Sequence, residues 1–101
     1  MAAYYVLTHT ITDPERYQKE YIRSATQILA RHGGEVIAAT FEAEVLQGNP
    51  PDGVVVARFP SEEAVRAFVN DPEYQPLKKI RIDLTKDASA VLAPASKMPG
   101  G

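Results

Sequence analysis

The chain contains no cysteine. That absence excludes disulfides, thiolate metal sites and thiol nucleophiles, and it suits a reducing compartment. Long apolar runs are missing too: none approaches the roughly 20 residues that a membrane-spanning helix needs. Met1 to Thr12 lacks a basic stretch followed by an apolar block, so no signal peptide is expected there. The net charge is only −2, without a basic stripe to neutralise phosphates, which argues against nucleic acid as a partner. Equally absent are Gly-x-Gly-x-x-Gly, a phosphate-binding loop, Gly-x-Ser-x-Gly and His-Glu-x-x-His. His9 and His32 stand far apart and have no zinc-binding spacing, so neither a metal nor a cofactor is expected. The expectation is a soluble cytoplasmic protein that engages neither membrane nor nucleic acid.

What is present is the make-up of an ordinary globular domain, with 45% hydrophobic and 24% charged residues among 101. A chain of this length holds one domain with one core. Residues 1–95 are expected to form it, and 96–101 to be a flexible tail.

Ala3 to Ile11 alternates and is rich in Tyr, Val, Ile and Thr, which predicts a strand. Tyr5, Leu7, His9 and Ile11 share the bulkier face and should lie under helices, whereas Tyr4, Val6, Thr8 and Thr10 share the other. Asp13-Pro14 opens a helix, because Asp accepts from the first free amides and Pro has no donor to lose there. Tyr17, Tyr21, Ala25, Ile28, Leu29 and His32 trace its apolar stripe, and Gly33-Gly34 stops it. Glu35 to Ala39 reads as a second strand, bent near Thr40 and resuming over Ala43 to Gln47. Gly48 to Gly53 is a turn. Gly53 to Phe59, with Val54-Val55-Val56 at its heart, is a third strand of central character. Ser61 caps a second helix that buries Ala64, Val65, Phe68 and Val69. Asn70-Asp71-Pro72 ends that helix, a short third helix spans about Pro72 to Ile80, and Asp87 to Ala93 is the last strand.

The resulting order is a βαββαβ unit: an α+β, ferredoxin-like sandwich whose helices cover one face of a four-stranded antiparallel sheet. Its other face is left bare. A bare face carrying Val and Tyr calls for a partner, and a second copy is the simplest one.

Several segments together resemble the domain-of-unknown-function 1330 family. They are Asp13-Pro14-Glu15-Arg16-Tyr17, Gly33-Gly34, Glu44-Val45-Leu46-Gln47-Gly48, Arg58-Phe59-Pro60-Ser61, Asp71-Pro72-Glu73-Tyr74-Gln75 and Arg81. The likeness runs from about Tyr4 to Leu92. It implies a dimeric α+β barrel, in which two ferredoxin-like units pack sheet against sheet. Barrels of this architecture include cofactor-free monooxygenases and isomerases acting on small cyclic or aromatic acids. Where relatives often carry a second Gly-rich stretch, Ala38-Ala39-Thr40-Phe41 stands here, and Phe41 is expected to fill space open in them.

Candidate chemistry is sparse. His9 is the candidate proton carrier, although a lone histidine on an apolar face is more often simply packed. His32 suits the last turn of a helix, where a cation complements the dipole. Glu42 and Glu44 would share a strand face and read first as charges protecting an edge. Arg58, the one charge in a strand of Val, Ala and Phe, is a candidate for holding a carboxylate or enolate, or for an ion pair across the dimer with Glu42 or Glu44. Thr8 and Tyr74 are candidate hydrogen-bond donors; Tyr74 is otherwise expected in the core with its hydroxyl at the surface. Lys78, Lys79 and Arg81 read as a solvated helix end, but the arginine that recurs in the resembled family makes Arg81 an anion-binding candidate. The leading expectation is a homodimer that binds a small organic molecule in the cleft between sheet and helices. The alternative is a non-catalytic dimer whose interface is its whole function.

Overall fold

The computed structural model describes residues 1–96. The tail expected over 96–101 lies, apart from Ser96, outside the described residues. Four strands form one antiparallel sheet: β1 (Ala3–Ile11), β2 (Glu35–Thr40), β3 (Gly53–Phe59) and β4 (Thr85–Pro94), in the spatial order β2-β3-β1-β4. Helices cover one face, which is the ferredoxin-like arrangement. The alternation of β1 decides which face. Ala3, Tyr5, Leu7 and His9 are buried beneath the helices, while Tyr4, Val6, Thr8 and Thr10 stay half-buried on the open side.

The first helical segment is not one uninterrupted helix. It runs as α1 (Pro14–Tyr17), a π-helical turn (Gln18–Ile22) and α2 (Arg23–Arg31). Asp13 caps it by accepting from the Arg16 amide at 3.1 Å. The wider π turn carries Tyr21 and sets its ring 5.0 Å from that of Tyr17. Such turns are often found at functional sites. At the far end the Gly34 amide reaches back to the Leu29 carbonyl at 3.0 Å, and Gly33 turns the chain at φ +79°, where a side chain would be strained.

The second strand stops at Thr40 and does not resume. Thr40 pairs with Val54, so a ladder resuming at Ala43 and Glu44 would stand opposite Pro51 and Pro50, which have no amide to donate. A single Ala43 amide to Asp52 carbonyl bond of 2.8 Å closes the loop, and Val45 and Leu46 stay exposed.

Ser61 caps α3 (Glu62–Val69) through the Ala64 amide at 3.1 Å. The third helix, α4 (Gln75–Asp83), sits later than its Pro72 start signal suggests. Asp71 holds Pro72 to Tyr74 in a turn instead, its side chain accepting from the Glu73 amide and its carbonyl from the Tyr74 amide. The helix continues past Ile80 because Arg81 and Leu84 are both buried. Its end is therefore not solvated at Arg81.

Phe68 on α3 is where the core elements meet. Its ring lies 4.6 Å from Tyr74, 5.7 Å from Phe59 and 5.9 Å from Tyr5. It is 2% exposed. Replacing it removes apolar burial and several ring contacts at once. Phe68→Ala is expected to cost about 3–5 kcal/mol of unfolding free energy in denaturant titration. A change under about 1 kcal/mol would show that these elements do not depend on it.

Candidate ligand-binding site

Two cavities flank the buried face of the sheet. The first, of about 430 Å³, lies between β1, β3 and the first helical segment. Tyr5, Leu7 and Val55 form its floor, and Tyr17, Tyr21 and Leu29 its roof. Phe41 stands at its side, with its ring 6.1 Å from that of Tyr17 and nearly perpendicular to it. Phe41 thus forms a wall, and the space beside it stays open. The volume lies within the range of small-molecule sites.

Three tyrosines give this apolar chamber its polar character. Burial, helped by neighbouring phenols, pushes the hydroxyls of Tyr5, Tyr17 and Tyr21 well above the ordinary tyrosine range. They stay protonated at all physiological pH values. The Tyr21 and Tyr74 hydroxyls lie 2.6 Å apart and share one proton between two oxygens, which leaves the second proton for another acceptor.

The second space is a recess of about 610 Å³ beneath α3 and α4 at the β4 edge. Tyr5 borders both this recess and the first cavity. Arg81, Lys78 and Arg66 line it together with Glu62, and Arg66 is already held by Glu62 at 3.2 Å. Arg81 is only 7% exposed, and its Nε has no hydrogen-bond partner.

The residues singled out from the sequence do not converge on one place. Tyr74 and Arg81 come together in the second recess. The Tyr74 hydroxyl is buried against Tyr21 and does not reach the surface. Thr8 and Arg58 sit on the open face of the sheet, away from both cavities. Thr8 Oγ1 is 3.0 Å from Ser89 Oγ. Arg58 is ion-paired with Glu35, its register partner on β2, within the same chain. It also borders a shallow groove of about 300 Å³. Glu42 and Glu44 lie exposed in the loop after β2, outside any strand, and so share no strand face. His32 Nε2 is 2.8 Å from Asp71 Oδ2, a contact that ties the end of α2 to the turn before α4. Tyr5, Tyr17 and Tyr21, which line the first cavity, were legible only as core residues. The available signal was tyrosine where leucine or phenylalanine would fill a core without a hydroxyl to satisfy.

His9 is fully buried, and among the described residues neither ring nitrogen has a hydrogen-bond partner. Its ring packs 5.5 Å from that of Tyr17 and does not line either cavity. Gly53 lets the strands close here, since a Cβ at that position would stand 2.6 Å from the His9 carbonyl oxygen. Burial, and then the positive charge of Arg81, lowers the histidine pKa below its ordinary 6.5. The unfolded chain therefore takes up a proton near pH 6.5 that the folded chain refuses. Stability should fall as pH drops through that value, with a slope of up to about 1.4 kcal/mol per pH unit. Asp71, lowered mainly by its bond to His32, acts in the separate window below its ordinary 3.8. In urea titrations between about pH 7 and pH 5, His9→Leu should flatten the slope relative to the parent. Parallel slopes would mean that His9 takes up its proton in the folded protein.

Residues 2–95 match the family described as a domain of unknown function (DUF1330). No curated protein sequence matches the chain. Among solved structures, the methylated RPA0582 protein is similar at 21% identity and TM-score 0.78, over 99% of this chain and 84% of that one. RPA0582 comes from Rhodopseudomonas palustris and is of unknown function. SnoaB, a cofactor-independent oxygenase from Streptomyces nogalater, is similar at 20% identity and TM-score 0.69, over 99% of this chain and 98% of that one. A dimeric protein of unknown function and ferredoxin-like fold from Bacteroides fragilis is similar at 12% identity and TM-score 0.55, covering 93% and 96%. At these identities the likenesses establish the fold alone. With nearly every described residue inside the match, the chain belongs to the DUF1330 family.

Proposed function

We propose that the protein is a homodimer that binds a small aromatic or cyclic molecule in the first cavity and promotes its reaction with dioxygen without a cofactor. The observation that carries this reading is the chamber of about 430 Å³, walled by apolar side chains and by tyrosines that stay protonated. Such a chamber suits a substrate that supplies its own reactivity. A phenol or enol whose anion reacts with dioxygen needs apolar surroundings and hydroxyl donors that stabilise developing negative charge. Tyr5, Tyr17 and Tyr21, which line the chamber, are proposed as those donors. The fold it shares with a cofactor-independent oxygenase supports the same reading by analogy.

Pairing is proposed through the open face, where Tyr4, Val6, Val54, Val56 and Val91 would otherwise meet water. The dimeric neighbour with this fold supports it. Thr8 and Arg58 belong to this face and would act at or near the interface.

A second reading, a dimer without catalysis, is favoured by one observation. His9, the natural proton carrier, is sealed behind Tyr17 and lines neither cavity.

Titration of the purified protein with 1-naphthol should give saturable binding, weakened at least severalfold by Ala39→Trp, which fills the cavity from the exposed edge strand. Equal binding to both proteins would remove the first cavity as the site. With anthrone, whose methylene carbon and one dioxygen give a carbonyl and water, an oxygen electrode should register uptake above the protein-free rate. Saturable binding with no acceleration would leave the non-catalytic reading. Light scattering should give twice the chain mass for the parent and the single mass for Val56→Asp, because a buried carboxylate opposes the apolar interface. A monomeric parent would overturn the proposed pairing.

A further inference from the structure

We propose that the recess beneath α3 and α4 is a second binding site, specific for a small carboxylate and anchored by Arg81. The site is separate from the first cavity and does not depend on what that cavity binds.

A guanidinium out of contact with water is costly unless a counter-charge and hydrogen bonds accompany it. Arg81 is 93% buried by the complement of its 7% exposure, and among the described residues it makes no ion pair. Its Nε is sealed without a partner. The groups close to it are phenols, those of Tyr74, Tyr5 and Tyr21; Tyr74 hydrogen-bonds it, but a neutral phenol offers a dipole and no charge. Glu62, the one carboxylate lining the recess, is engaged by Arg66 at 3.2 Å. Lys78 lines the same space, is half-buried and makes no ion pair among the described residues. Among the described residues, the recess therefore carries two cationic side chains without an ion-pair partner.

Shape selects the anion. Guanidinium presents its donors in a planar fork that matches two carboxylate oxygens. Val65, Val69 and Leu92 supply apolar walls for the body of the ligand. An apolar monocarboxylate suits both features, whereas a phosphate dianion would face these same walls with its hydration stripped.

Benzoate and its uncharged counterpart benzamide separate the charge from the ring. Calorimetric titration of the full chain with benzoate should saturate, with benzamide about tenfold weaker or more. Arg81→Met keeps the length of the side chain and removes the buried charge. It should bind benzoate about tenfold more weakly, while its melting temperature holds or rises. Its 1-naphthol binding should match the parent's, which keeps this test distinct from that of the first cavity. Should Arg81→Met fail to fold, Lys78→Gln changes only a half-buried side chain and should weaken benzoate binding severalfold. Unchanged benzoate affinity in the folded Arg81→Met variant, or in Lys78→Gln where that variant is used, would overturn the proposal. So would equal affinity for benzamide, or no saturation by about 10 mM benzoate. Inorganic phosphate displacing benzoate at equal concentration would overturn the choice of carboxylate.

Discussion

The alternation of β1 constrains everything built on it. The strand is hydrogen-bonded on both sides, Val6 facing Val56 of β3 and Val91 of β4, so its register is held twice. A slip of one residue would turn Tyr5, Leu7 and His9 outward and bring Tyr4, Val6 and Thr8 under the helices. The buried set is large and aromatic, and it fixes how far the helices stand from the sheet. Tyr5 meets Phe68 of α3 edge-on at 5.9 Å, and His9 meets Tyr17 of α1 at 5.5 Å. Bulky rings at these points keep the layers apart where no other side chain fills the gap. The first cavity is a consequence of that spacing.

The same core is unusually polar for a small chain, and that polarity has a cost. An aliphatic core would bury as much surface without leaving hydroxyls, an imidazole and a guanidinium to satisfy. Here Tyr21 and Tyr74 satisfy one another, while His9 and the Arg81 Nε are left without partners. Burial and the Arg81 charge keep His9 neutral, which avoids a second buried cation beside the first. The two unsatisfied groups are thus one electrostatic problem: Arg81 keeps its charge, and His9 responds by holding its neutral form.

Strand order, helix caps and the ferredoxin-like architecture were legible because each rests on short-range chemistry. Asp13 and Ser61 cap with their own side chains, Gly33 turns with its own backbone, and the β1 alternation repeats every second residue. The continuation of β2 was misread because Ala43 to Gln47 has strand-like residues, whereas the outcome was decided by the missing amides of Pro50 and Pro51 across the hairpin. The start of α4 moved for a similar reason: Asp71 spends its acceptors on the turn ahead of the helix. Arg81 looked solvated beside Lys78 and Lys79, and only the packing of α4 over Tyr5 and Tyr74 shows that it points inward. Arg58 and Thr8 were placed on the correct strands, but strand parity puts them opposite His9, so the three could not converge within one chain. Cavities arise from what side chains on different elements fail to fill, and a linear pattern carries no record of that.

Parity also keeps the two faces of the sheet chemically independent. Even-numbered β1 residues, with Val54, Val56 and Arg58 of β3, present the open face. Odd-numbered ones, with Val55 and Ala57, face the helices. A change at Val56 reaches Val6 and Ala38 on its own face, but the backbone ladder stands between it and Tyr5 or Tyr17. On β1 and β3, the surface that would join two copies can therefore change without altering the walls of either cavity. Tyr5 has the opposite character, since it borders both cavities and leans on Phe68. Of the positions on β1, it is the one where packing and the chemistry of both cavities rest on a single side chain.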